Sequence, residues 1–176
     1  VQFRVKDARD MVRKSAMSPV SHRWQVIVVE DADRFNDSSG NAVLNGVEDR
    51  VSIAESDVFE ALSALRAEGE QFDVIIADPP AFIRKRKDIT NGERAYARLN
   101  REAMRLLGRD GLLMSGSCSM HLAPERLMDV VRGAVRHQDR HGQVIFQGHQ
   151  ASDHPVHPSI PETSYLKALG VRVYRD

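Results

Sequence analysis

Four side chains have the types and settings to do chemistry: Glu30, Asp57, Asp78 and Cys118. Asp78 closes the apolar run FDVIIA (residues 72–77) and is followed by Pro79, Pro80 and the aromatic Phe82. A carboxylate is an acceptor, and the prolines stiffen the chain after it. Such a turn offers a carboxylate and backbone carbonyls in fixed geometry, which suits the donor-bearing amino edge of a flat base. The plainer reading is a strand with a polar end and a proline turn. Cys118 lies in the small polar loop SGSCSMH, just past another apolar run. A free cysteine commonly serves as inert core. On a Ser/Gly loop at a strand end it can also be a nucleophile, provided that positive charge or hydrogen-bond donors favour the thiolate. Glu30 ends the run VIVV, where a carboxylate with two acceptor oxygens can take both hydroxyls of a ribose. Asp57 has two readings: the cap of a following helix, or an acceptor for the amino group of an adenine.

These residues need a scaffold that gathers strand ends. Val26–Val29, Val51–Ala54, Phe72–Ala77 and Leu112–Met114 read as short, fully covered strands of a parallel sheet. Between them lie helical patterns. One carries Phe59, Leu62 and Leu65 on one face. A second runs from Glu93 to Leu107, after a turn at Asn91-Gly92 and before a stop at Gly108–Gly111. A third runs from Pro124 to His137 with Leu127, Val130, Val131 and Val135 inside. Asn41–Asn45 could form a helical turn ending at Gly46. Val144–Phe146 is a further strand, and Tyr165–Leu169 with Val171–Tyr174 reads as a closing hairpin-like or broken strand. Alternating strands and helices predict an α/β fold with a mostly parallel sheet, and the late strands predict an antiparallel edge. Ligands of such sheets collect at the carboxyl ends of the strands.

The chain has 176 residues, 25 basic and 25 acidic, for a formal net charge of +0. With no global basic field, any contact with nucleic acid rests on a local patch. The run Arg84-Lys85-Arg86-Lys87 is such a patch, and equally an ordinary solvated loop. One cysteine excludes an intramolecular disulfide framework and a multi-cysteine metal site. No apolar run approaches the roughly 20 residues of a membrane span, and the expected setting is the reducing cytoplasm. His154 and His157 lack a third well-spaced ligand, so they are read as turn residues and no metal is expected.

Taken in order, VVE (28–30), SDVFEAL (56–62), FDVIIADPPAF (72–82), SGSCSMHL (115–122) and the tail DHPVHPSIPETSYLK (153–167) resemble the class I S-adenosylmethionine-dependent methyltransferases. More narrowly, they resemble the bacterial 23S ribosomal RNA cytosine-C5 methyltransferases of the large subunit. The resemblance runs from about Val26 to the end and rests on the combination of motifs. It implies a Rossmann-like sheet, S-adenosyl-L-methionine as cofactor, and RNA, 23S ribosomal RNA in particular, as partner. A membrane is not implied, and a homodimer is compatible with it. Glu30 would hold the ribose hydroxyls and Asp57 with Val58 the adenine. Asp78 and Pro79 would orient the target base beside the methyl donor. Cys118 would add to the base, with Asp78 stabilising the charge that develops on the ring. Pro80, Phe82, Arg84, Lys85 and Lys87 would meet the RNA, Phe82 by stacking on an unstacked base and the cations on phosphates.

One departure from the family stands out. The residues before Val26, SAMSPVSHRWQ, contain no G-x-G, so the first central strand and its glycine-rich motif are missing or replaced, with Val1–Val5 the candidate substitute. Residues 1–25 are therefore left unassigned, and 26–176 are read as the catalytic domain. Two further readings stay open. One is an amino-group nucleic-acid methyltransferase using DPPAF, with Cys118 structural. The other is a degenerate, non-catalytic RNA-binding module.

Overall fold

The computed structural model describes residues 26–30, 44–46 and 50–175. The N-terminal segment 1–25, the Val1–Val5 candidate and most of the Asn41–Asn45 turn lie outside them. The chain divides into two compact units that meet in sequence at Glu70 and Gln71.

In the first unit, β1 (Val26–Glu30) and β2 (Val51–Glu55) pair in parallel, with Glu30 opposite Glu55. Helix α1 (Val58–Ala67) follows, with Ala61 and Leu65 buried. It closes at Glu68, and Gly69 then adopts a φ of 79° while Glu70 N–H reaches back to the Leu65 carbonyl. A glycine takes this left-handed position without the penalty a Cβ would bring.

The second unit is a four-stranded sheet in the order β3 (Phe72–Ala77), β4 (Leu107–Ser117), β6 (Lys167–Tyr174), β5 (His141–His149). β3 and β4 run parallel, and β6 is antiparallel to both β4 and β5. The antiparallel pairing falls at the expected end of the sheet, but the reversed strand lies one position in from the edge. It is also one continuous strand rather than a hairpin or a broken pair, because Gly170 lets it pass closely between Met114 and Phe146. Helices α2 (Ile89–Arg105) and α3 (Pro124–Arg136) pack on one another. They share a core with Leu107, Leu113, Leu169, Val171 and Val173 of the sheet.

The helices obey their apolar periodicity. In α2 the buried positions Gly92, Tyr96, Leu99, Asn100, Ala103 and Met104 recur at three- and four-residue steps. In α3, Pro124 occupies the first turn, where its missing N–H costs nothing, and Leu127, Val131, Ala134 and Val135 face inward. Val130, expected inside, is only partly buried against that core.

Three sequence expectations are corrected. Asn91-Gly92 is not a turn but the first turn of α2, which begins at Ile89. Gly108–Gly111 does not follow a helix as a loop. It is the start of β4, where the ladder to β3 jumps from Phe72↔Leu107 to Val74↔Leu112. Nor is β3 fully covered: Val74 is 38% and Ile76 72% exposed. Both point away from the face that holds Ile75 against the core, on the end strand of this sheet.

Gly92 has a packing reason. A Cβ there would lie 2.2 Å from Cγ1 of the buried Ile83 and 3.1 Å from the Phe82 carbonyl oxygen. Gly92→Ala is therefore expected to destabilise the protein by about 1–3 kcal/mol, despite alanine's better helix propensity of about 1 kcal/mol. Urea unfolding measures it, and a more stable variant would contradict the packing account.

Candidate active site

The carboxyl ends of the parallel strands β3 and β4 carry Asp78 and Cys118 on neighbouring tips. The Cys118 thiol points at the Pro79 carbonyl oxygen, 4.0 Å away. Asp78 lies beside Gly116, two residues before the cysteine. A Cβ on Gly116 would come within 3.1 Å of Asp78 Oδ1. The thiol is half-buried and the Asp78 carboxylate exposed. An acid, a backbone carbonyl and a thiol thus gather at one corner of the sheet.

The loop around Cys118 is held by buried hydroxyls. Ser119 Oγ accepts the Ile83 N–H at 3.1 Å and lies 2.9 Å from the Tyr96 hydroxyl. Ser117 Oγ donates to that same Tyr96 hydroxyl at 2.9 Å and accepts the Ser119 N–H at 3.1 Å. The residues flanking the cysteine are thereby tied to α2 through Tyr96 and to the DPPAF turn through Ile83. A satisfied buried network of this kind fixes geometry, since breaking one member strands the others.

Lys167 completes the clamp. Its buried ammonium, at the start of β6, donates to the carbonyl oxygens of Ser119, at 2.5 Å, and Leu122, at 2.8 Å. Burial lowers its pKa from the ordinary lysine value, and the nearby Cys118 charge opposes that shift. The ammonium is thus held on the backbone of Ser119, the residue after Cys118. Lys167→Met is expected to cost about 1.5–3 kcal/mol, the value of hydrogen bonds to a charged donor. It also changes a pH dependence. The unfolded chain holds the lysine proton up to about 10.5 and the folded chain releases it earlier, so stability from this group rises as pH approaches 10.5 from below. Chemical denaturation across the alkaline range should show that rise in the parent and not in the variant.

Tyr96, Ser117, Ser119 and Lys167 were not singled out from sequence. The first three look like core or loop residues, and only the SYLK tail hinted at Lys167.

The remaining expected residues are arranged as follows. Phe82 is half-buried, its ring 4.8 Å from the Tyr96 ring at 57°, so part of it serves the core. Ile83 is buried, and Arg84, Lys85 and Lys87 are exposed on the loop beyond it, as is Pro80 before it. In the first unit, Glu30 stands at the carboxyl end of β1. Asp57 caps α1, its Oδ1 accepting from Phe59 N–H at 2.9 Å and Glu60 N–H at 3.2 Å. Both cap bonds use one oxygen, which leaves Oδ2 as a further acceptor. The cap and the adenine reading are therefore compatible. In the Pro/His loop, the His157 ring accepts the Ser159 N–H and Asp153 pairs with His154. Gln150 accepts the N–H groups of Tyr165 and Leu166. No helix among the described residues is long and apolar enough to cross a membrane.

No family model matches the chain. The ribosomal RNA large subunit methyltransferase I of Shewanella denitrificans is 39% identical over 76% of this chain. That of Shewanella frigidimarina is 40% identical over 76%, and that of Serratia proteamaculans 36% over 85%. The chain is thus similar to these methyltransferases over most of its own residues, and spans about a third of the length of the curated relatives it matches, 34% to 38%. Among solved structures, NSun6 from Pyrococcus horikoshii with SFG superposes with a TM-score of 0.63 at 19% identity, covering 86% of this chain and 42% of that one. A methyltransferase homolog protein from the same organism gives 0.61 at 20% identity, covering 92% and 65%. The fold is the Rossmann-like fold of the class I methyltransferases.

Proposed function

We propose, from a homology that runs through three quarters of this chain, that the protein methylates RNA. The narrower reading is methylation of cytosine C5 in 23S ribosomal RNA, through a covalent adduct at Cys118, in the cytoplasm. The observation that carries it is the thiol at 4.0 Å from the Pro79 carbonyl, on the strand tip next to the one that bears Asp78. Carbon 5 of cytosine is a weak nucleophile. Addition of the Cys118 thiolate to C6 raises electron density at C5, which can then accept a methyl group; a base takes the C5 proton, and elimination of the thiolate leaves 5-methylcytosine and the free cysteine. Asp78, hydrogen-bonding near N3 and N4, stabilises the charge that builds on the ring.

S-adenosylmethionine, when bound, supplies the electrophilic methyl group. In the first unit, Asp57 keeps an acceptor oxygen for adenine, Val58 adjoins the cap, and Glu30 ends β1. In the second unit, Asp78 and Pro79 supply acceptors that orient the base. The target base leaves its stack to reach the thiol, Phe82 flanks it, and Arg84, Lys85 and Lys87 take the neighbouring phosphates. A homodimer is compatible with this reading.

The test is covalent trapping. RNA carrying 5-fluorocytosine has no C5 proton to lose, so elimination stalls. With S-adenosylmethionine present, the chain should gain the mass of one methylated RNA adduct, located at Cys118 by peptide mapping. Turnover of ordinary RNA without any adduct on the fluorinated RNA would sink the covalent route.

A further inference from the structure

The second unit holds a cavity of about 380 Å³ at the end of the sheet opposite Cys118, lined by Gln71, Arg109, Arg140 and Arg175. The topology explains the gathering. Gln71 precedes β3, Arg109 lies near the start of β4, Arg140 precedes β5, and Arg175 follows the antiparallel β6. Three strand beginnings and one strand ending therefore meet at the same edge, and three of the four residues delivered there are arginines.

None of the four is acidic, and no ion pair ties these three guanidinium groups to a carboxylate among the described residues. Asp110, next to Arg109 in sequence, is engaged elsewhere, receiving Arg172 Nε at 2.8 Å and Nη2 at 2.6 Å. Arg140 is rigidly aimed: Nη1 donates to the Gly108 carbonyl at 2.9 Å and Nη2 to the Leu107 carbonyl at 2.8 Å. Its Nε is buried without a partner among the described residues. Arg175 donates to the Gln138 carbonyl at 3.3 Å. Burial, and then the charge of Arg175, both hold Arg140 below the usual arginine pKa. The three guanidinium groups line one cavity and have no carboxylate partner among the described residues, so a bound anion would relieve their mutual repulsion. Fork-shaped donors match a phosphate better than a point cation does.

We propose that this cavity is a phosphate-binding site that takes a backbone phosphate of the substrate RNA. It would be a second anchor, up to roughly 30 Å from Cys118 at about 3.3 Å per residue along β4. The occupant rests on the RNA reading above; the site itself rests on the arginines. A phosphodiester and a free phosphate share the chemistry, so two measurements separate them.

The first uses a fluorescein-labelled, cytosine-containing single-stranded RNA and the full 176-residue chain, with anisotropy read over a series of salt concentrations. The double variant Arg109→Gln/Arg175→Gln should flatten the slope of log affinity against log salt by about 0.7, the value for one lost phosphate contact on a single strand. Cys118→Ala should leave that slope alone. The second compares thermal melting in inorganic phosphate and in chloride at equal ionic strength. Phosphate should raise the melting temperature of the parent and not of the double variant. Loss of the phosphate effect with an unchanged RNA slope would refute RNA as the occupant. An unchanged slope together with no phosphate effect in the parent would refute the site. A parent chain that binds no RNA overturns the RNA reading, and the phosphate arm then judges the arginines independently.

Discussion

Cys118→Ala is expected to lower methyl transfer to cytosine by at least ~10³-fold, the scale on which loss of a catalytic nucleophile is felt, while leaving the protein folded. The structure separates these two effects. The thiol is half-buried and its one polar contact among the described residues, to the Pro79 carbonyl, is a weak 4.0 Å bond. The loop is held instead by Ser117, Ser119 and Lys167, which stay in place in the variant. The melting temperature should therefore move little while turnover collapses. The measurement is single-turnover transfer of a labelled methyl group to RNA, with the product nucleoside identified. A variant that keeps its rate would exclude a covalent step. It would favour methylation of an exocyclic amino group at DPPAF, for which the thiol is dispensable. Cys118 is the only cysteine in the chain, so no second thiol can substitute and the outcome is unambiguous.

Much of the architecture could be read from the residues alone. Apolar runs ending in acids marked β1, β2 and β3, and the 3.6-residue period marked α2 and α3, because both signals come from burial on one face or both. What failed has a physical reason in each case. Asn91-Gly92 has turn chemistry, yet Gly92 lies in a helix, and it is a glycine there because Ile83 occupies the space a side chain would fill. Gly108–Gly111 looks like a helix stop and is a strand start with an irregular register, since glycines serve both ends. The exposure of Ile76 was illegible because hydrophobicity says that a strand could be covered, not which neighbours it finds.

The site divides in the same way. Asp78 and Cys118 were legible because their chemistry is unusual at strand ends, and their proximity follows from the parallel pairing of β3 with β4. The supports were not legible. Tyr96 is one aromatic among many core candidates, and its value lies in a hydroxyl shared by two serines more than 20 residues away in sequence. Lys167 reads as an ordinary surface cation until β6 is known to insert beside β4. Only then does its ammonium reach two carbonyls of the cysteine loop. The arginine cavity was equally hidden, because it is assembled from four strand termini spread over the whole second unit.

Asp78→Asn carries the second large effect, an expected loss of about 10²–10³-fold in turnover, the usual result of removing one preorganised stabilising group. The swap keeps size and shape, so the close approach to Gly116 persists and binding of RNA should be almost unchanged. What changes is the ability to give a proton toward N3 as negative charge grows on the ring after the thiolate has added, which an amide cannot do. The loss should therefore appear in adduct formation with 5-fluorocytosine RNA. Alkylation of Cys118 by iodoacetamide, which involves no base, should proceed as in the parent. The double variant Cys118→Ala/Asp78→Asn decides whether the two groups act in one step. If they do, it should be scarcely worse than Cys118→Ala alone, because an acid that stabilises the adduct has nothing left to stabilise. Multiplied losses would mean that Asp78 works without the thiol, which is the behaviour of an amino-group methyltransferase. Adduct formation at the parental rate in Asp78→Asn would remove the acid from the covalent step altogether.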